Sequence, residues 1–216
     1  VRPKPLGQTQ KPLAQKQKPF GLSLSKPSSR ATVPPGEVRL IGGQWKRTKL
    51  PVPTAEGLRP TPDRVRETLF NWLGQDLSGW RVLDAFAGTG ALGFEAASRG
   101  AASSTLLEQD SRLVAGLLAV QQRLGAATVT VLRADALAWM SRAPRAAFEL
   151  VLLDPPFDSS LAAPALALAA PLVADRGFVY LEAAAADAAP ACPAGLELFR
   201  ELKAGAVMAR LFRRTP

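Results

Sequence analysis

At 216 residues the chain has the length of one large domain or two small ones, and with 47% hydrophobic residues it can bury a substantial core, which excludes wholesale disorder. It contains no histidine and one cysteine, Cys192. That removes Ser-His-Asp and Cys-His catalysis, histidine-ligated metals, zinc ribbons and any disulfide framework within the chain, so no metal is expected and a reducing cytoplasm suits the composition.

The formal charge of +9 is unevenly spread. Residues 1–36 hold seven basic residues, seven prolines and no acid, whereas residues 81–216 hold thirteen basic and thirteen acidic side chains. With few large apolar groups, the first 36 residues cannot offset the entropy of ordering and read as a flexible cationic tail. Nothing in it resembles the apolar stretch of a secretory signal, and no apolar run reaches the roughly 18 residues of a membrane span, so a soluble, cytoplasmic protein is expected.

Residues 37–79 read as a hairpin and a helix. Val38 to Leu50 suggests two short strands about a Gly42-Gly43 turn, with Arg39, Lys46, Arg47 and Lys49 interleaved around Trp45. Thr61-Pro62 then supplies an N-cap and a first-turn proline for a helix whose Val65, Leu69, Trp72 and Leu73 share a face, ended by Gly74. Arg59, Arg64 and Arg66 fall near its start. Aromatic and basic residues in this pattern suit a polyanion such as RNA.

From residue 80 to 216 short apolar runs alternate with helical stretches: strands 81–86, 104–108, 128–133, 149–153 and 177–183, and helices 90–99, 110–124, 135–142 and near 160–173. Such alternation implies parallel strands joined by right-handed crossovers, an open α/β sheet covered on both faces. Two last strands, 196–203 and 206–213, are separated only by Ala204-Gly205 and are expected to pair antiparallel.

The first of these strands runs from Asp84 through Phe86 into Gly88-Thr89-Gly90-Ala91-Leu92-Gly93, a glycine loop opening a helix, and Glu108 ends the next strand. Alone this pattern suits any adenosine cofactor, the glycines permitting close backbone approach and the acid accepting ribose hydroxyls. Two features favour S-adenosylmethionine over a dinucleotide. Asp84 would repel a pyrophosphate but suits a methionine ammonium, and Asp135, followed by Ala136, is placed to accept an adenine N–H. Either aspartate alone could be only a helix cap. Glu95, Asp110 and Glu149 read as solvated or capping charges.

Asp154-Pro155-Pro156-Phe157 follows the buried strand 149–153 and is the most informative tetrapeptide in the chain. Two prolines stiffen the turn and remove N–H donors, leaving the Asp154 carboxylate and the Pro155 carbonyl as acceptors. Acceptors without donors suit a planar amine, and Phe157 offers a face on which its ring can stack. A nucleobase must be unpaired or flipped to reach such a corner.

These residues carry a resemblance. Asp84–Gly90 and Asp154-Pro155-Pro156-Phe157 look like motifs I and IV of amino-methyltransferases on the class I fold. More narrowly, the segments 39–45, 58–73 and 84–93 are similar to the RsmD family, which methylates guanine N2 in 16S ribosomal RNA. The similarity covers residues 38–213 and leaves the tail outside it. It implies a class I Rossmann-like methyltransferase with a mostly parallel seven-stranded sheet, a C-terminal antiparallel hairpin and an added N-terminal hairpin and helix. It implies S-adenosylmethionine binding by Asp84, Phe86, Gly88, Gly90, Glu108, Asp135 and Ala136, and amine activation by Asp154, Pro155, Pro156 and Phe157. It further implies a monomer that meets 16S rRNA, within an assembling small-subunit particle, through Arg39, Trp45, Lys46, Arg47, Lys49, Arg59, Arg64 and Arg66.

The same tetrapeptide chemistry serves a DNA adenine-N6 or cytosine-N4 methyltransferase, against which no target-recognition domain is inserted. A nicotinamide dehydrogenase would share the glycine loop but lacks here a second substrate domain and a histidine acid. A non-catalytic RNA-binding module would need neither the cofactor residues nor the Asp154 turn. Removing residues 1–36 is expected to weaken RNA affinity and flatten its salt dependence while leaving cofactor affinity unchanged, which filter binding across a salt series would measure.

Overall fold

The computed structural model describes residue 1 and residues 36–52, 63–157 and 159–215. The expected tail and Arg59 lie outside the described residues apart from Val1 and Gly36. The described residues from 36 to 215 make up one compact unit.

Two short strands, β1 (Glu37–Arg39) and β2 (Lys49–Pro51), pair antiparallel and precede helix α1 (Asp63–Trp72). Then come β3 (Arg81–Asp84), α2 (Ala91–Ser98), β4 (Ser103–Glu108), α3 (Ser111–Leu124), β5 (Val129–Arg133), α4 (Ala136–Met140) and β6 (Phe148–Leu153). Helix α5 (Ala162–Ala169) continues through a 3-10 turn into β7 (Val173–Ala184), and β8 (Leu196–Ala204) and β9 (Val207–Arg214) finish the fold. The main sheet runs β5-β4-β3-β6-β7-β9-β8; its first five strands are parallel, and β9 is antiparallel to both neighbours. The strand order reverses at β3 and β6, the place at the carboxyl edge where open α/β sheets bind their ligands.

Local chemistry sets the element ends. Asp110 caps α3 by accepting the Arg112 N–H at 2.7 Å, and Gly125 ends it in the left-handed region at φ 58°. Alternation along the strands feeds two layers. Leu83, Leu107, Val151, Leu153, Val179 and Leu181 pack with α4 and α5, while Val82, Leu150, Leu152 and Tyr180 pack under α1 and α2. A third cluster joins Val38, Leu40, Leu50 and Val52 to Phe94 of α2 and Leu117 of α3. Residues 37–52 and 63–79 therefore share their cores with the sheet.

The turn of the N-terminal segment differs from expectation. Gly42-Gly43 does not turn a tight hairpin; both glycines lie in the loop 40–48, pressed against the C-terminal turn of α2. A Cβ on Gly43, which has φ +72°, would meet the Ser98 carbonyl oxygen at 1.8 Å, so only glycine permits this contact. Around it, Gln44 N–H donates to the Ser98 carbonyl and Trp45 N–H to Ser98 Oγ.

Glu95 is the second correction. Instead of being solvated or a helix cap, it is completely buried in the middle of α2. Its two oxygens accept the Ile41 and Gly42 N–H groups, each at 2.7 Å, and it pairs with Arg99 at 2.8 Å and Arg66 at 3.8 Å. Arg66, expected to face RNA, is itself fully buried: it donates to the Arg39 carbonyl and pairs with Asp63. Four groups converge on one carboxylate, so deleting it takes the acceptor from two backbone N–H groups and a partner from two buried arginines. Glu95→Ala is expected to cost about 3–5 kcal/mol in urea unfolding. Breaking the exposed Arg81–Glu149 pair by Arg81→Ala should cost under about 1 kcal/mol.

Candidate active site

Asp84 is the last residue of β3 and is 1% exposed. Its Oδ2 accepts the Gly93 N–H at 2.9 Å from the first turn of α2. Oδ1 is buried and completes no hydrogen bond among the described residues. Burial pushes its carboxyl up to about 7; the Gly93 and Phe86 N–H groups oppose this, and the charges of Glu108 and Glu182 add to it. A shielded acceptor with an unused oxygen fits a cation such as an ammonium.

The glycine loop has two distinct constraints. Gly88 and Gly90 have φ of 53° and 77°, and Gly90 starts α2. A Cβ on Gly90 would come within 2.6 Å of Leu117 and Phe94, and one on Gly93 within 2.6 Å of Leu106 and 2.9 Å of Asp84 Oδ2. Internal packing therefore requires these two glycines, beyond the ligand approach the motif suggests.

Glu108, at the end of β4, accepts the Gly88 N–H at 2.9 Å through Oε2, and the Gln109 and Asp110 N–H groups at 2.7 and 2.8 Å through Oε1. It ties the glycine loop to the β4 turn. A carboxylate offers about four acceptor positions, so these three bonds leave room for about one ribose hydroxyl rather than two. Asp135 does cap α4, its Oδ1 accepting the Ala138 N–H at 2.7 Å, and it remains exposed at the same edge beside the buried Ala136. Phe86 is half-buried against the α4 and α5 layer.

Asp154 follows β6 next to β3: Asp84 pairs with Leu152 two residues before it. Register and alternation put Asp84 and Leu152 on one face of the sheet, and Asp154 lies just past the end of β6. In the turn itself Asp154 is half-buried, Pro155 buried, Pro156 exposed and Phe157 half-buried. The expected amine corner thus follows the end of β6, the strand next to the one that ends in Asp84. Glu182, on neighbouring β7, was not foreseen; it is 1% exposed and accepts the Tyr180 hydroxyl at 2.8 Å. Its signal was an acid on the inward-facing phase of a strand otherwise filled by Phe178 and Tyr180.

The family model described as conserved hypothetical protein 95 matches residues 38–213. Over 181 residues the chain is 41% identical to ribosomal RNA small subunit methyltransferase D of Escherichia coli strain K12, covering 83% of this chain and 91% of that one. The protein of the same description from Haemophilus influenzae is 39% identical over 183 residues, covering 82% of this chain and 94% of that one. The solved structure of yhhF from Escherichia coli is similar with a TM-score of 0.75 at 39% identity, covering 83% of this chain and 98% of that one.

The chain belongs to the RsmD family. Its fold is accordingly that of a class I methyltransferase, seven strands with a C-terminal antiparallel hairpin. The RsmD match includes the N-terminal segment, where Arg39, Lys46, Arg47, Lys49 and Arg64 are exposed and Trp45 is half-buried against α2 and α3. Lys49 pairs with Glu37 at 2.7 Å. Arg66 leaves the nucleic-acid set because no solvent or phosphate reaches it. Among the described residues no helix is long and apolar enough to cross a membrane.

The raised Asp84 proton affinity has a consequence for the free protein. Between its ordinary value of 3.8 and about 7, the folded chain holds a proton that the unfolded chain has released, so stability falls as pH rises through this window. Asp84→Asn is expected to be more stable than the parent at pH 8, by an amount on the order of a few kcal/mol, with the difference shrinking toward pH 4 in denaturant melts.

Proposed function

We propose that this chain methylates the exocyclic N2 amine of a guanine in small-subunit ribosomal RNA, with S-adenosylmethionine as donor. The observation that carries this reading is that Asp84 ends β3 while the Asp154-Pro155 corner follows the end of the neighbouring, parallel β6. It is supported by the named relatives, which are ribosomal RNA small subunit methyltransferases. Such a substrate would place the enzyme in the cytoplasm.

Asp84 Oδ1 would hold the ammonium of the cofactor, Glu108 a ribose hydroxyl, and Asp135 the adenine amine through the oxygen that does not cap α4. S-adenosylmethionine supplies a methyl carbon made electrophilic by its sulfonium. The chain's own contribution is orientation. Asp154 and the Pro155 carbonyl accept the two N–H bonds of the target amine, which directs the nitrogen lone pair and favours the change from planar to tetrahedral. Two consecutive prolines keep competing donors out of the corner. Asp154 is also placed to take the proton the amine gives up. Phe157 would stack on the base, and the exposed Arg39, Lys46, Arg47, Lys49 and Arg64 would meet the phosphates around it, in naked RNA or in an assembling particle.

Asp154→Ala is expected to slow methyl transfer to small-subunit particles from an unmodified strain by about 100-fold to 1000-fold. Cofactor affinity by calorimetry should stay within about twofold, since the substitution lies outside the set that holds it. Unchanged transfer would remove Asp154 from the mechanism. Labelling of duplex DNA with unlabelled particles would replace RNA as the substrate.

A further inference from the structure

A cleft of about 430 Å³ lies outside the site described above. Gly42, Gly43 and Lys46 of the loop 40–48 line it together with Glu67 and Asn71, one turn apart on α1, and Arg99 at the end of α2. Lys46, Glu67 and Asn71 are exposed, so the cleft opens to solvent, and its volume is that of a small-ligand pocket. It stands at the end of α2 remote from the glycine loop: Gly90 starts that helix and Arg99 ends it, about 13 Å away.

The lining is fixed from beneath. Arg99 is held by Glu95 at 2.8 Å and lies 4.6 Å over the Phe70 ring. A Cβ on Gly42 would collide with the guanidinium, so the loop approaches Arg99 only as glycine. Arg99 can only donate, and its Nη1 gives a hydrogen bond to Gln75 Oε1 at 2.9 Å. The Gln75 amide must then offer Nε2, which donates to Asn71 Oδ1. This relay leaves the two N–H groups of Asn71 Nδ2 uncommitted among the described residues. Lys46 and Glu67 likewise complete no ion pair or side-chain hydrogen bond among the described residues.

An occupant that satisfies all three carries an anion for Lys46, an N–H for Glu67 and an acceptor for Asn71. A nucleotide has this set, since its base edge displays donors and acceptors side by side and its phosphate is the anion. Arg47 and Lys49, exposed on the same segment, suit the phosphates on either side of it. Glu67 repels phosphate, which orients the base toward α1. We propose that this cleft takes one unpaired nucleotide of the ribosomal RNA, separate from the target, with its phosphate on Lys46 and its base edge on Glu67 and Asn71. The proposal rests on the ribosomal RNA reading above. Because α2 links the cleft to the glycine loop, a nucleotide seated here sets the position of the strand relative to the cofactor end of the same helix.

The test uses the full-length enzyme and small-subunit particles from an unmodified strain, with reagents that modify exposed base edges. The parent enzyme is expected to protect one unpaired base besides the target. In Glu67→Ala and Asn71→Ala that protection is lost and the target's is kept, KM for particles rises about tenfold, and kcat stays within about twofold. Both side chains are exposed, so these variants fold, and Glu67→Ala also leaves the Gln75 relay intact. Lys46→Ala should reduce the slope of log KM against log salt by about one phosphate contact. Parent-like KM and protections in both α1 variants overturn the proposal. So does a raised KM with no base protection lost, the outcome if a ribosomal protein occupies the cleft. An unchanged salt slope in Lys46→Ala overturns the placement of the phosphate. All three results leave methyl transfer to ribosomal RNA standing, whereas particles that the parent enzyme does not label overturn the reading on which the proposal rests.

Discussion

One buried carboxylate holds the two halves of the molecule in register. Glu95 sits in the middle of the helix that begins at the glycine loop, and it receives two backbone N–H groups from the N-terminal loop and two arginines. A charge placed there without partners would cost far more than it contributes, so its presence commits the loop 40–48 and α1 to one position. Through α2, that position is defined relative to the carboxyl edge where Asp84 and Asp154 lie. The exposed cations of the N-terminal segment are therefore carried on a braced surface.

The carboxyl edge of the sheet follows the opposite logic. Burial raises the proton affinity of Asp84, and the charges of Glu108 and Glu182 raise it further. Such an arrangement opposes folding of the free chain and favours whatever cation or N–H donor enters. Glu108 is relieved by three backbone N–H groups and so has a structural duty as well as a binding one. Asp84 completes one such bond, at Oδ2, and so retains the stronger demand for a ligand.

The glycines show how a motif can be read correctly for an incomplete reason. Gly90 and Gly93 belong to a cofactor loop, yet side chains of the core exclude any larger residue at both. Gly42-Gly43 suggested a turn and instead marks the place where a loop touches a helix backbone. In both cases the absence of a Cβ is needed for close approach, and the approaching partner comes from a distant part of the chain.

Element order, the parallel sheet, the closing hairpin and the placement of Asp84, Glu108, Asp135 and Asp154 at strand ends were legible in the sequence. Each depends on periodicity or turn chemistry within a few residues, which a linear reading reports directly. Only the tertiary structure decided that Arg66 is buried while Arg64 is exposed, and that Glu95 and Glu182 are core residues. A charged side chain has the same local pattern whether water or a remote partner compensates it. What compensates it is settled when segments more than fifty residues apart, such as Ile41 and Glu95, come into contact.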